Sequence, residues 1–109
     1  MFGFFKAKFP SITMDEAAKL LKTDKSIILL DVRTLEEHNE GYIQNSLHLP
    51  VQEIDKVKTV IADVNAKIFV YCKSGMRSKK ACGKMHEMGY TDITNIGGMN
   101  TWKGEVVKG

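Results

Sequence analysis

Cysteine and proline each occur only twice in the 109 residues, tryptophan occurs once, and the excess of basic over acidic residues is only 16 to 13. Each scarcity excludes something. Two cysteines, Cys72 and Cys82, are too few for a disulfide framework or a four-cysteine zinc site. Reduced thiols and a cytoplasmic location are therefore expected. Two prolines and nine glycines rule out collagen-like or low-complexity character. No apolar run approaches the roughly 20 residues that cross a bilayer, so no membrane span is expected. A net charge of +3 is too small to argue for nucleic acid, although it suits small anionic ligands. His38, His48 and His86 are scattered without metal-ligand spacing, so no metal site is expected.

What remains is the composition of one globular domain, 43% hydrophobic and 27% charged. No internal repeat or linker divides it. The first residues, Met1-Phe2-Gly3-Phe4-Phe5-Lys6-Ala7-Lys8-Phe9, have no leading positive region, and their apolar stretch stops at Lys6. They read as an apolar tail over residues 1–10, ahead of a domain over 11–109. A weak interfacial anchor of aromatics and lysines is the alternative.

Along the domain, helical and extended patterns alternate, which implies an α/β layer architecture with a mainly parallel sheet. Ser11 or Thr13 can cap a helix whose first turn carries Asp15 and Glu16. Residues 26–31 form a short continuous apolar run, the mark of a strand buried on both faces. A short helix over 34–38 ends near Gly41, and Leu47 to Pro50 is extended. Ile54, Val57, Val60, Ile61 and Val64 recur at spacings of three and four, predicting an amphipathic helix over 51–64. A second fully apolar strand spans 67–71. A glycine-containing loop and a helix over about 78–88 follow, with Gly89 as the helix stop. A third strand spans 93–96. Gly97-Gly98 reads as a turn, and 99–103 as a short terminal helix.

Chemistry concentrates at Cys72. It stands at the carboxyl end of a buried strand, where open α/β sheets bind ligands. Backbone N–H groups of Lys73, Ser74, Gly75, Met76, Arg77 and Ser78 can curl inward as a nest, and the first turn of the next helix adds unpaired donors. Gly75 permits the positive φ that such a curl needs. Arg77 brings a fixed positive charge back towards the sulfur. All of this favours thiolate over thiol and predicts a nucleophile with a built-in anion cradle.

Four motifs resemble those of single-domain rhodaneses, the thiosulfate and persulfide sulfurtransferases. They are Leu30-Asp31-Val32-Arg33 with Glu37, the run from Gly41 to Pro50, Tyr71-Cys72-Lys73-Ser74-Gly75-Met76-Arg77-Ser78, and Gly97-Gly98-Met99-Asn100-Thr101-Trp102. The resemblance extends from about Ser11 to Lys103. It implies a central parallel five-stranded sheet flanked by helices on both faces, with the cysteine in a cradle loop. It also implies a cycle in which Cys72 takes a sulfane sulfur from thiosulfate or a persulfide and passes it to a thiol or cyanide. A protein donor or acceptor could serve in place of a small one. No metal or organic cofactor is implied.

The chain departs from the family in places. Lys73 stands where arginine is common, Tyr42 replaces a histidine, Ser46 an alanine, and His48 an asparagine. Alternative readings are a sulfur carrier or binding module for a partner enzyme, and a cysteine-based phosphatase or arsenate reductase. The cysteine argues against a purely binding module. Four residues separate Cys72 from Arg77, one fewer than phosphatase loops use, and no general acid can be assigned.

Other residues read as support. Asp31 is expected to cap or fix its loop, and Arg33 to pair with Glu37 there. Ala81, Cys82, Met85 and Met88 share one helical face, which makes Cys82 a core residue rather than a redox partner. Lys79, Lys80 and Lys84 are a solvated helix face or a steering patch for anions. Trp102 should close the core beneath the glycine pair.

Overall fold

The computed structural model describes residues 8–109. Residues 1–7 of the expected tail lie outside them. The elements are α1 (Met14–Thr23), β1 (Ile28–Asp31), α2 (Leu35–Glu40), β2 (Leu47–His48), a 3-10 segment (Val51–Thr59), β3 (Ile68–Cys72), α3 (Met76–Glu87), β4 (Ile93–Gly98) and a final 3-10 turn (Met99–Thr101). No helix of the described residues is long and apolar enough to cross a membrane.

The sheet is parallel throughout, in the order β2-β1-β3-β4. It has four strands, where the sequence reading expects five. Beyond β4 a fifth strand is reduced to a single parallel bridge, Ser11 to Asn95. The Asn95 N–H donates to the Pro10 carbonyl at 3.0 Å and the Ile12 N–H returns to the Asn95 carbonyl at 3.0 Å. Pro10 has no N–H of its own, and α1 begins three residues after the bridge, so pairing cannot propagate.

Both faces of the sheet are covered, which explains the uninterrupted apolar runs of β1 and β3. Leu30, Ile68 and Val70 face α3 and the 3-10 segment, meeting Ile54, Val57, Ala81, Cys82 and Met85. Leu29, Phe69 and Tyr71 face the other way, against Met14 and Ala17 of α1. Trp102 packs partly buried on this second cluster, and its indole N–H donates to the Glu105 carbonyl at 3.1 Å.

Local signals set the helix starts. Thr13, not Ser11, caps α1: its hydroxyl accepts the Glu16 N–H at 3.1 Å, and Glu16 accepts the Thr13 N–H at 2.9 Å. Thr34 and Glu37 build the same reciprocal box at the start of α2. The segment expected as an amphipathic helix is 3-10 and shorter, ending at Thr59. Its buried Ile54 and Val57 are three apart, and Val60 continues that spacing, the repeat of three residues per turn.

The glycine pair is not a turn. β4 continues through Gly98, which pairs with Cys72, while Val70 pairs with Asn95. The partner strand thus advances three residues for two, a bulge that Gly97 absorbs at φ +87°. This bulge carries β4 across the end of β3, next to the cysteine.

Candidate active site

Cys72 ends β3 and is fully buried. The chain turns at once through Lys73 and Ser74 to Gly75, whose φ of +101° lets it cap α3 in the left-handed region. α3 starts at Met76, two residues earlier than expected, so Ser78 falls in its first turn, where backbone N–H groups lack helical partners. Gly75 N–H donates to Cys72 Sγ at 3.0 Å, and Ser78 Oγ lies 3.4 Å from it.

Burial pushes the Cys72 thiol up. The Ser78 hydroxyl and the backbone N–H groups of Ser78, Gly75 and Ser74 outweigh that and leave it below the ordinary thiol value. The donor ring expected of the loop is therefore built from Ser74, Gly75 and Ser78. Lys73 and Met76 are exposed at the rim. The Lys73 carbonyl accepts the Asn100 N–H at 3.2 Å, tying the loop to the turn after β4.

Arg77 differs from expectation. Its fork is taken by Glu37, with Nη1 at 2.6 Å from Oε1 and Nη2 at 2.9 Å from Oε2. Its charge is close enough to sense that of Cys72, but both prongs of the guanidinium serve the pair with α2. That pair also corrects the expected Arg33–Glu37 contact. Arg33 turns back to Asp31 instead, Nη2 to Oδ2 at 2.7 Å and Nε to Oδ1 at 3.0 Å, and also donates to the Gly41 carbonyl at 2.7 Å. Arg33 and Asp31 are both buried, so this ion pair holds the β1 loop from within. Asp31 fixes its loop as expected, accepting the Arg33 N–H at 2.9 Å and meeting His38 Nδ1 at 2.9 Å. His38 stacks between Tyr42 and His48, with ring centroids 4.1 and 4.5 Å away.

A groove of about 370 Å³ runs beside the loop, lined by Lys73, Arg33, Glu37, Met99 and Asn100 among others. On the far side, Cys82 is fully buried among Ala81 and Met85, and its thiol is pushed up to about 12 by burial, with the neighbouring Cys72 charge adding to the effect. Cys82 is thus a core residue whose burial favours the thiol over the thiolate.

Two further residues shape the site beyond those expected to build it. Gly98 presses on the cradle so closely that a β-carbon there would lie 1.9 Å from the Lys73 carbonyl oxygen. Asn95, buried in β4, accepts from the Ser78 hydroxyl at 2.6 Å. The one signal for it is a single amide inside Ile93-Thr94-Asn95-Ile96, polar where a strand buried on both faces should be apolar.

Comparison with known proteins agrees with this geometry. The rhodanese-like domain family matches residues 13–105. YrkF of Bacillus subtilis is 30% identical over 100 residues, which are 91% of this chain and 54% of that protein, so this chain spans about half of it. Thiosulfate sulfurtransferase PspE of Escherichia coli is 33% identical over 81 residues, 73% of this chain and 78% of that one. The crystal structure of a rhodanese-like domain protein from Staphylococcus aureus superposes with a TM-score of 0.77 at 31% identity, covering 93% of this chain and 99% of that one. A family match over nearly the whole described chain, with a shared fold and a cysteine at the end of the third strand, means that the chain belongs to the rhodanese-like domain family.

Proposed function

We propose that this chain is a sulfurtransferase that carries a sulfane sulfur on Cys72. The observation that carries the reading is a buried sulfur held by N–H and O–H donors and kept below the ordinary thiol value despite its burial. A relative named as a thiosulfate sulfurtransferase, 33% identical over 81 residues, supports the same chemistry.

The cycle has two balanced steps. The Cys72 thiolate attacks the outer sulfur of thiosulfate. The S–S bond of the donor breaks, and sulfite leaves with its electron pair. Cys72 then bears a terminal S–S⁻ whose charge faces the backbone N–H donors of Ser74, Gly75 and Ser78, much as an oxyanion faces its hole. Cyanide or a thiolate next attacks the outer sulfur, the Cys72–sulfur bond breaks, and the Cys72 thiolate returns as the leaving group. A thiol pKa lowered towards the working pH raises the share of thiolate available for the first step and makes the same group a better leaving group in the second. Lys73, and Arg77 through Glu37, shape the mouth and hold the loop; Asp31 and Arg33 brace it from behind. The cycle needs a free thiol, which fits a cytoplasmic location.

The test is formation of thiocyanate from thiosulfate and cyanide by the purified chain. The wild type turns over, and Cys72→Ser, which keeps the size of the side chain, does not while retaining the native circular dichroism. Turnover retained in Cys72→Ser would reject the proposal.

A further inference from the structure

Ser78 has one hydroxyl proton and more acceptors than it can serve. Its Oγ lies 3.4 Å from Cys72 Sγ, 2.6 Å from Asn95 Oδ1 and 3.1 Å from the Gly75 carbonyl. The orientation of the Asn95 amide is fixed by its other partners: Oδ1 accepts the Gly97 N–H at 3.1 Å, and Nδ2 donates to the Gly75 carbonyl at 3.3 Å. Oδ1 can therefore only accept from Ser78. Cys72, Ser78 and Asn95 are all buried, so the competition is decided among these groups.

The state of the sulfur settles where the proton goes. With a thiol, S–H donates to Ser78 Oγ and the Ser78 hydroxyl donates to Asn95, each proton used once. With a thiolate, which the Gly75 N–H already serves at 3.0 Å, the charge also draws the Ser78 proton towards Sγ and away from Asn95. Oγ and Oδ1, 2.6 Å apart, then face each other with no proton between them. With a persulfide, the charge moves to the outer sulfur, Sγ is neutral, and the Ser78 proton returns to Asn95. We infer that Asn95 is a positioning residue which, through the Ser78 hydroxyl, favours persulfide-loaded Cys72 over the discharged thiolate. The inference about loading rests on the persulfide reading of Cys72; the proton competition does not.

The charged and titratable groups around Cys72 do not perform this task. Arg77 of α3 is engaged by Glu37 of α2, Asp31 of β1 is held by Arg33, and Lys73 on the loop is exposed. Cys82 of α3 stays a thiol. β4 presents the amide of Asn95 and two glycines.

Opposite signs for two neighbours in one network give the test. The rate of Cys72 alkylation by iodoacetamide is followed against pH by mass spectrometry. Ser78→Ala loses the donor and raises the midpoint by about one pH unit. Asn95→Ala removes the nearer competing acceptor, leaves only the Gly75 carbonyl at 3.1 Å against the thiolate, and lowers the midpoint by up to about the same amount. In the Ser78→Ala background, Asn95→Ala changes nothing further. Asn95→Val, with a strand-forming side chain, repeats the measurement if the alanine variant folds poorly. Above the midpoint pH, the ratio of loaded to free Cys72 at a fixed ratio of thiosulfate to sulfite should fall about tenfold per pH unit of that lowering. A simple loosening of the cradle would raise the midpoint and persist without Ser78. An unchanged or raised midpoint in Asn95→Ala, or a shift that survives in the double variant, would overturn the inference. Absence of any persulfide on the wild type would instead remove the sulfurtransferase reading and leave the alkylation signs as an independent result.

Discussion

Replacing Glu37 with glutamine tests how the cradle is anchored. The amide oxygen of the new side chain can still accept the Thr34 N–H, so the helix cap of α2 survives, while the charge opposite Arg77 and the hydrogen bond that Oε2 accepts from Arg77 Nη2 are lost. Arg77 donates to both oxygens of Glu37 and, with help from Thr34, holds its carboxyl at about 2, against an ordinary 4.5. Taken whole, that gap corresponds to ~3.4 kcal/mol. The two side chains are 24% and 33% exposed, so solvent screening reduces the usable part to about 1–2 kcal/mol. The sign follows from a folded-state value lower than the unfolded one. The stabilisation is present above pH 4.5 and disappears as the pH falls towards 2. Urea unfolding of wild type and Glu37→Gln at pH 7, 5 and 3 should show a gap of about 1–2 kcal/mol at the first two values and a much smaller one at the third. Equal stabilities at pH 7, or a gap of constant size down to pH 3, would refute the ion-pair account of the loop.

Further outcomes follow from the same geometry. Arg77→Ala should cost about as much stability as Glu37→Gln, and the double variant no more than the worse single, because one contact is removed in each case; additive losses in urea unfolding would contradict this. Gly98→Ala should lower stability by roughly 1–3 kcal/mol and raise the alkylation midpoint of Cys72, since its β-carbon must push the Lys73 backbone and open the donor ring. A melting curve and an alkylation midpoint both unchanged would show that the close approach is unimportant. Native protein at pH 8 should take up a single iodoacetamide, on Cys72, while Cys82 reacts only after unfolding; both sulfurs are buried, so the difference rests on the thiolate, and modification of Cys82 in the native state would contradict its value of about 12.

The parts legible in the sequence are those written in short-range patterns. The apolar runs of β1 and β3, the Thr13 and Glu16 cap, the glycine that lets the chain curl after Cys72, and the core face of Ala81, Cys82 and Met85 all depend on neighbours within a few residues. The features that sequence patterns misplace depend on distance along the chain. Glu37 meets Arg77 forty positions away, whereas spacing alone favours Arg33 at four. Arg33 instead reaches back two residues to Asp31, because both are buried by the same loop. Gly97-Gly98 has the composition of a turn, and only pairing with β3 makes it a bulge. Asn95 in the network is invisible until Ser78 is brought beside it from seventeen residues upstream. The missing fifth strand reflects Pro10 and the early start of α1, which leave room for one bridge.

The proposed function stands or falls with sulfur loading on Cys72. Intact-mass measurement of the purified chain before and after thiosulfate, and again after cyanide, tests it most directly. The chain should gain one sulfur atom that maps to the peptide containing Cys72, is removed by cyanide, and is absent in Cys72→Ser. No gain with either thiosulfate or a low-molecular-weight persulfide, or a gain mapping to Cys82, would contradict it.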